Sequence, residues 1–369
     1  AMQQEIEVTN KFPAEFYDLC IKNDLYRCSL PEQYGGFGLN EKEILQVQEE
    51  FSRGPGGMRM HLHYAMDLNW RILDDYGSDE LKAEYMNKFQ DKEIFTCFAL
   101  TEKTGGTGAD LHTMAVRDGD DYVLNGEKWL ISHTDCCEFA YVIAVTNPES
   151  TKEDRLSAFF VPVNTPGYEV IPMPHMMGCR GAGHTGLRFT DMRLNKKYLL
   201  GKEGQGLEIA MHSLSVSRAH IAASNLGMCQ RMLEISIARA KARVTFGKPI
   251  ATRQMIKAKI ADMAMTTHAL RCMVYDFAEE YMKDPVGPDI EEKAAMCKLF
   301  SINATRLVSD EMLEIFGGEG YFEDNEFGPV ERLYRDARAM WLEEGAPSVQ
   351  RITIARKAIQ NGGKLNLAE

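Results

Sequence analysis

The chain has 369 residues, enough for two or three domains with their own cores, and its 44% hydrophobic and 26% charged residues are an ordinary globular mixture. A net charge of −12 with no dense Lys/Arg cluster argues against a nucleic-acid partner, because a phosphate backbone must be met by cations. No apolar run approaches the ~18 residues that span a bilayer, and the first residues lack a basic-then-apolar export signal. The nine Cys form neither Cys-x-x-Cys pairs nor Cys/His metal spacings. The expectation is therefore a cytoplasmic protein with reduced thiols and no metal.

Three zones follow one another: 1–93, 94–205 and 206–369. The first reads as helical. Phe12-Pro13-Ala14-Glu15-Phe16 opens a helix with Phe16, Leu19, Cys20 and Leu25 on a helical period. Pro31-Glu32-Gln33-Tyr34-Gly35-Gly36-Phe37-Gly38 is a Gly-rich loop, and Asn40 stands as the N-cap of a helix through Ile44, Val47 and Phe51. A further helix is expected over 58–73, carrying His61, Tyr64 and Asn69 among apolar residues. The second zone changes to short β runs at 95–100, 122–124, 139–145, 158–163 and 187–189. Asp118-Gly119 and Asn125-Gly126 read as hairpin turns, and the regular spacing suggests a small barrel or sandwich. The third zone predicts long helices over 218–243, 255–282 and 289–316 and a terminal one, which suits an antiparallel four-helix bundle. Asp289 is the expected N-cap and Gly317-Gly318 the stop of the third. The fold class is mostly α with a central β domain.

Several segments carry chemistry. Arg335-Asp336-Ala337-Arg338 is followed by Glu344-Gly345-Ala346-Pro347. Glu344 stands on a loop before the last helix, with Met340, Trp341, Leu342 and Val349 nearby in sequence. An apolar setting raises a carboxylate's pKa, the usual way to make a base for a carbon-bound proton. Gly345 adds no Cβ and lets the carboxylate and backbone approach a ligand. A solvated acidic turn capping the last helix is the plain alternative. The loop from Leu100-Thr101-Glu102 to Gly105-Gly106-Thr107-Gly108-Ala109-Asp110 offers N–H and hydroxyl donors to a phosphate or a heterocycle edge. Its spacing is neither a Rossmann fingerprint nor a P-loop. Trp129-Leu130-Ile131-Ser132 ends a strand, Arg243-Val244-Thr245-Phe246-Gly247-Lys248 leaves a long helix, and Gly317-Gly318-Glu319-Gly320-Tyr321 follows another. A core aromatic, a dipole-complementing Arg and a helix C-cap are the plain readings of these three.

Taken in this order, the segments resemble the acyl-CoA dehydrogenase family over residues 12–364. The resemblance implies an N-terminal helical domain, a β domain and a C-terminal four-helix bundle that bind FAD. It implies α,β-dehydrogenation of an acyl-CoA, with Glu344 removing the α-proton and the β-hydrogen leaving as hydride to the flavin. The backbone N–H of Glu344 would bind the thioester carbonyl. Leu100, Thr101, Gly106 and Thr107, with Ile131 and Ser132, would line the flavin. Arg243, Thr245, Phe246, Gln254, Gly317 and Gly318 would serve the FAD of a neighbouring subunit, so a homo-oligomer, a dimer of dimers, is implied. Arg218 falls by the CoA moiety, Gly345 beside the base at the substrate, and His61 and Tyr64 at the acyl pocket. An electron-transferring flavoprotein is the implied partner, and fatty acid metabolism the implied setting.

This sequence departs from the family pattern at Leu130 (usually Trp, with Trp129 expected to face away), Ser215 (Asp), Glu314 (Gln), Glu343 (Tyr) and Ala346 (Thr). His61, Tyr64 and Asn69 suggest an acyl pocket more polar or shorter than that of a medium-chain enzyme. The same parts would serve an enoyl-CoA reductase running in reverse in an anaerobe. A non-catalytic scaffold is the reading from another class, and retention of Glu344, Arg243 and the flavin loop argues against it. The chain length argues against an acyl-CoA oxidase, and Glu rather than Asp at 344 against a nitroalkane oxidase.

Overall fold

The computed structural model describes residues 2–105, 110–151, 153–323 and 325–363. Helices α1 (Met2–Thr9), α2 (Ala14–Lys22), α3 (Glu41–Phe51), α4 (Gly56–Met66), α5 (Leu68–Tyr76) and α6 (Asp79–Tyr85) precede the first strand. Asn40 caps α3 through a reciprocal box: its side chain accepts from Glu43 N at 3.1 Å, and the Glu43 carboxylate accepts from Asn40 N at 2.9 Å. The single helix expected over 58–73 is two, α4 and α5. The break falls at Asp67, whose backbone (φ −128°, ψ −94°) is not helical and whose carboxylate lies 3.2 Å from Arg71 Nε. Asp tolerates such a position because its short side chain competes for polar partners outside the helix ladder.

The chain divides into two compact units. The first gathers the described residues up to Leu39 with Tyr64–Met176 and Arg180–Leu214. Its strands are β1 (Thr96–Ala99), β2 (Met114–Asp118), β3 (Asp121–Ser132), β4 (Phe139–Val145), β5 (Leu156–Pro162), β6 (Tyr168–Ile171), β7 (His184–Asn195) and β8 (Leu199–Leu200). They form one eight-stranded sheet in the order β6-β7-β3-β2-β4-β5-β8, with β1 parallel beside β4. Every residue of β4 is buried, which explains its unbroken apolar run. Leu124, Ile131, Val142, Phe159 and Leu187 belong to the core.

Asp118-Gly119 is the hairpin turn its sequence suggests, with Asp118 pairing Asp121 and Gly119 at φ +65°. Asn125-Gly126 is not a turn. It lies inside β3 as a bulge against β7, with Gly126 at φ +146°. A Cβ on Gly126 would meet Thr113 Cα at 2.6 Å, and the Asn125 amide is spent across the sheet on Asp191 at 3.2 and 2.8 Å. A positive-φ glycine serves a turn and a bulge alike, so the dipeptide does not distinguish them.

The second unit gathers Asn40–His63, Met177–Cys179 and the described residues from Ser215 onward. It holds most of α7 (Gly206–Ala242), then the hairpin β9 (Val244–Thr245) and β10 (Lys248–Pro249), and helices α8 (Gln254–Lys283), α9 (Ile290–Phe316), α10 (Val330–Ala339) and α11 (Pro347–Gln360). Asp289 holds the N-cap position of α9 without a side-chain capping bond. Helix α3 crosses α7 so closely that a Cβ on Gly227 would sit 1.9 Å from Glu49 O. Gln48–Ser224 at 2.7 Å and His220–Glu41 at 3.1 Å join the two helices, and Arg53, just past α3, bonds Glu234 at 2.6 Å. No helix among the described residues is long and apolar enough to cross a membrane, and all nine cysteines are free thiols.

Candidate active site

In the second unit, the Arg335-Asp336 motif is an anchor. Asp336 is buried and accepts from Cys179 N at 2.6 Å and from Gly56 N at 3.0 Å, which ties α10 to the start of α4 and to the 177–179 segment. Arg335 donates to Met177 O at 2.6 Å. Beyond α10 the chain turns through residues 340–346. Lys298, fully buried on α9, donates to Met340 O at 2.7 Å. Arg59 grips Glu343 with two bonds of 3.1 and 3.2 Å. Glu344 then adopts φ +47° and Gly345 φ +98°. A left-handed non-glycine residue costs of order 1–2 kcal/mol and persists only where its surroundings over-determine it.

Those surroundings are polar. Ser217 Oγ donates to Glu344 Oε1 at 2.6 Å, and His63 Nε2 lies 3.4 Å from the same oxygen and 2.8 Å from Ser217 Oγ. Glu344 Oε2 is buried with no hydrogen-bond partner among the described residues. Burial pushes the Glu344 pKa up, but His63, Ser217 and Lys298 together outweigh it and hold the carboxyl below its usual range. This reverses the expectation from sequence. The apolar neighbours in sequence turn elsewhere: Leu342 is exposed, and Trp341 lies against Arg338 and Arg306. Glu343 is also held low, because Arg59, with Lys298 and His63, overrides its burial. Burial lowers Lys298 to about 8, against Glu343 and Glu344, which favour its charge. Arg218 is buried, its Nε has no hydrogen-bond partner among the described residues, and burial lowers its pKa against the fields of Glu344 and Glu291.

The residue of α4 that touches Glu344 is His63, which sequence reasoning missed in favour of the fully buried His61. A signal was present. Arg59 and His63 are one helical turn apart, so one face of α4 offers a cation and an imidazole to two successive carboxylates. Tyr64 belongs to the first unit, where its hydroxyl meets Thr96 Oγ1 at 2.9 Å and Asn69 Oδ1 accepts from Thr96 N at 2.8 Å. These polar groups have partners already, so Tyr64 and Asn69 do not make a polar acyl pocket by their unmet hydrogen bonds.

The remaining expected residues of the first unit sit around a second bulge of β3. Leu100 O accepts from buried Lys128, whose ammonium also pairs with Glu102 at 2.9 Å. Glu102 accepts in turn from the N–H groups of His112 and Thr113, so it anchors the loop. Thr101 O accepts from Trp129 N at 2.8 Å, and the Trp129 ring lies against Lys103. Leu130 is half-exposed at φ +59°, Ile131 is buried, and Ser132 Oγ lies 3.2 Å from His184 Nε2. Gly106 and Thr107 lie outside the described residues.

In the second unit, Thr245 pairs with Lys248, and Phe246 (φ +48°) and Gly247 (φ +71°) form the two-residue turn between β9 and β10. The Phe246 side chain is 97% exposed. Arg243 is half-exposed 3.9 Å from Glu319, and Gln254 opens α8 on the surface. A Cβ on Gly317 or Gly318 would meet nothing within 4 Å. An exposed aromatic ring on a hairpin tip and open glycine backbone are surfaces of the kind on which a large planar, phosphate-bearing group such as FAD can rest.

Family models for the N-terminal, middle and C-terminal domains of acyl-CoA dehydrogenase match residues 1–93, 97–192 and 204–359. The chain is 34% identical to the acyl-CoA dehydrogenase of Bacillus subtilis (strain 168), over 95% of this chain and 91% of that protein. It is 33% identical to the acryloyl-CoA reductase (NADH) of Anaerotignum propionicum, over 97% and 89%. The solved butyryl-CoA dehydrogenase of Megasphaera elsdenii superposes with a TM-score of 0.89 at 28% identity, over 95% and 91%. A three-domain fold shared with oxidoreductases defines the class. The chain belongs to the acyl-CoA dehydrogenase family, and its cofactor is FAD.

Proposed function

We propose that the protein interconverts a short acyl-CoA and its 2-enoyl-CoA, with Glu344 as the base that takes the α-proton. The observation that carries this is the Glu344 carboxyl itself: held ionised, one oxygen bonded by Ser217 and the other buried without a hydrogen-bond partner among the described residues. Glu343 is the rival carboxylate, and its bidentate pairing with Arg59 commits it to structure. FAD, when bound, supplies the acceptor for the β-hydrogen and its electron pair. Glu344 N–H, presented by the left-handed turn that Gly345 continues, is the donor for the thioester carbonyl. Arg218 supplies positive charge on the same side. Electrons pass on to an electron-transferring flavoprotein, in the cytoplasm. The reverse reaction is the second reading, favoured by the similarity to acryloyl-CoA reductase. A short acyl group is supported by the butyryl-CoA dehydrogenase likeness.

Glu344→Gln should retain FAD and acyl-CoA binding while anaerobic flavin bleaching slows by roughly a thousand-fold, as for loss of an essential proton acceptor. A panel of butyryl-, octanoyl- and aryl-propionyl-CoA, with the matching enoyl-CoAs against reduced enzyme, tests substrate and direction. Normal bleaching by Glu344→Gln removes Glu344 as the base, and a clear preference for octanoyl-CoA removes the short acyl group.

A further inference from the structure

We infer that His63 is a positioning residue for the base: through Ser217 it fixes Glu344 Oε1 and leaves Oε2 to meet the substrate's α-proton. This rests on the reading of Glu344 as base.

The three groups form a closed triangle of 2.6, 2.8 and 3.4 Å. The serine hydroxyl has one proton. It goes to the carboxylate, so the Ser217 oxygen is left to accept, and the donor within reach is His63 Nε2–H. The order is therefore His63 to Ser217 to Glu344. His63 Nδ1 is buried with no hydrogen-bond partner among the described residues, which suits a bare lone pair and disfavours a second N–H there. His63 thus acts through the N–H of Nε2, the ring nitrogen that faces Ser217. Its ring is set on the α4 face that also carries Arg59, so the helix that grips Glu343 also aligns Glu344.

The consequence is a base held in one rotamer and kept ionised. A chain of donors aimed at Oε1 stabilises the carboxylate more than the neutral acid. The other groups facing the pair are Arg59 on α4, Arg218 and His220 on α7, Lys298 on α9, Gln350 on α11 and Glu343 on the loop, with Glu41 of α3 behind His220. Glu344 acts only when ionised, so its rate falls as pH drops through its pKa. Removing His63 raises that pKa and moves the acid limb to higher pH. Lys298, at about 8, titrates on the alkaline side, so the acid limb reads the His63 contact separately.

The test is anaerobic stopped-flow bleaching of the FAD-loaded enzyme by butyryl-CoA, as a function of pH. His63→Ala should move the acid limb up by about one pH unit and lower the plateau rate about ten- to a hundred-fold, as expected for a lost hydrogen bond and a misaligned base. The KM for butyryl-CoA should change less than threefold. His63→Gln, whose amide can still donate to Ser217, should recover most of the rate and the parental limb. Ser217→Ala breaks the same chain one link on, and should shift the limb as His63→Ala does. It carries the test alone if His63→Ala does not load FAD. An unmoved acid limb in whichever of these alanine variants loads FAD, beside an inactive Glu344→Gln, overturns this inference and spares the base. Normal bleaching by Glu344→Gln overturns the base itself.

Discussion

Arg59→Met tests whether the loop at 340–346 depends on the Arg59–Glu343 ion pair beside Glu344. Arg59 is fully buried and the Glu343 side chain is 15% exposed. At their 3.1 Å approach, and with an effective dielectric of about 20, the attraction is about 5 kcal/mol. Desolvation offsets much of this in the intact pair, but Met leaves Glu343 in place without its main counter-charge. Breaking a buried pair this way costs about 3–5 kcal/mol. The pH dependence has a definite sign. In the parent, Glu343 is held below its unfolded value, so its stabilisation is present above pH about 4.3 and is lost as pH falls through the folded pKa. In Arg59→Met, burial raises the Glu343 pKa, and the deficit shrinks as pH falls and the carboxyl protonates. Denaturant unfolding at fixed protein concentration and saturating FAD, at pH 7 and pH 5, reads both effects. Arg59→Met/Glu343→Gln should recover most of the loss at pH 7. A double variant no more stable than Arg59→Met would refute the uncompensated charge as the cause.

Gly345→Ala should lower both stability and flavin reduction, because φ is +98° and the new Cβ would lie 2.9 Å from Gln350 Nε2. A loss of about 1–3 kcal/mol is expected for a side chain in that region, and unfolding measurements alongside flavin bleaching check it. Phe246→Asp should weaken FAD retention and self-association together, since a phenylalanine 97% exposed on a hairpin tip is suited to a partner's surface. Light scattering and flavin content of the purified variant read both, and a parent that is a monomer with tightly held FAD would contradict the shared-cofactor reading.

The parts of the fold that were legible in the sequence are those set by local physics. The capping box at Asn40 and Glu43, the Asp118-Gly119 turn and the long apolar periods of α8 and α9 each depend on residues a few positions apart. Asn125-Gly126 misled because the choice between turn and bulge is made by Thr113 and Asp191, which lie across the sheet. The break at Asp67 was likewise hidden inside an apolar helical period.

The candidate site shows the same division more sharply. Glu344 could be singled out because it precedes a glycine at a fixed distance from Arg335-Asp336. Its electrostatics could not, since they are decided by Ser217, 127 residues away, and by helix α4. Arg59 is 284 residues from Glu343. Reading the pKa from chain neighbours gave the wrong sign, because residues flanking a turn point in different directions and only those folded against the carboxylate act on it. The departure at Glu343 looked isolated in sequence. In the structure Glu343 is met by Arg59, which holds it beside Glu344. A second carboxylate there would repel Glu344 and raise its pKa if left unpaired. Bound by Arg59, it is neutralised at its source, and Glu344 stays free to be tuned by His63 and Ser217. The two carboxylates are thus kept apart in role by which of two residues, one helical turn apart on α4, each of them meets.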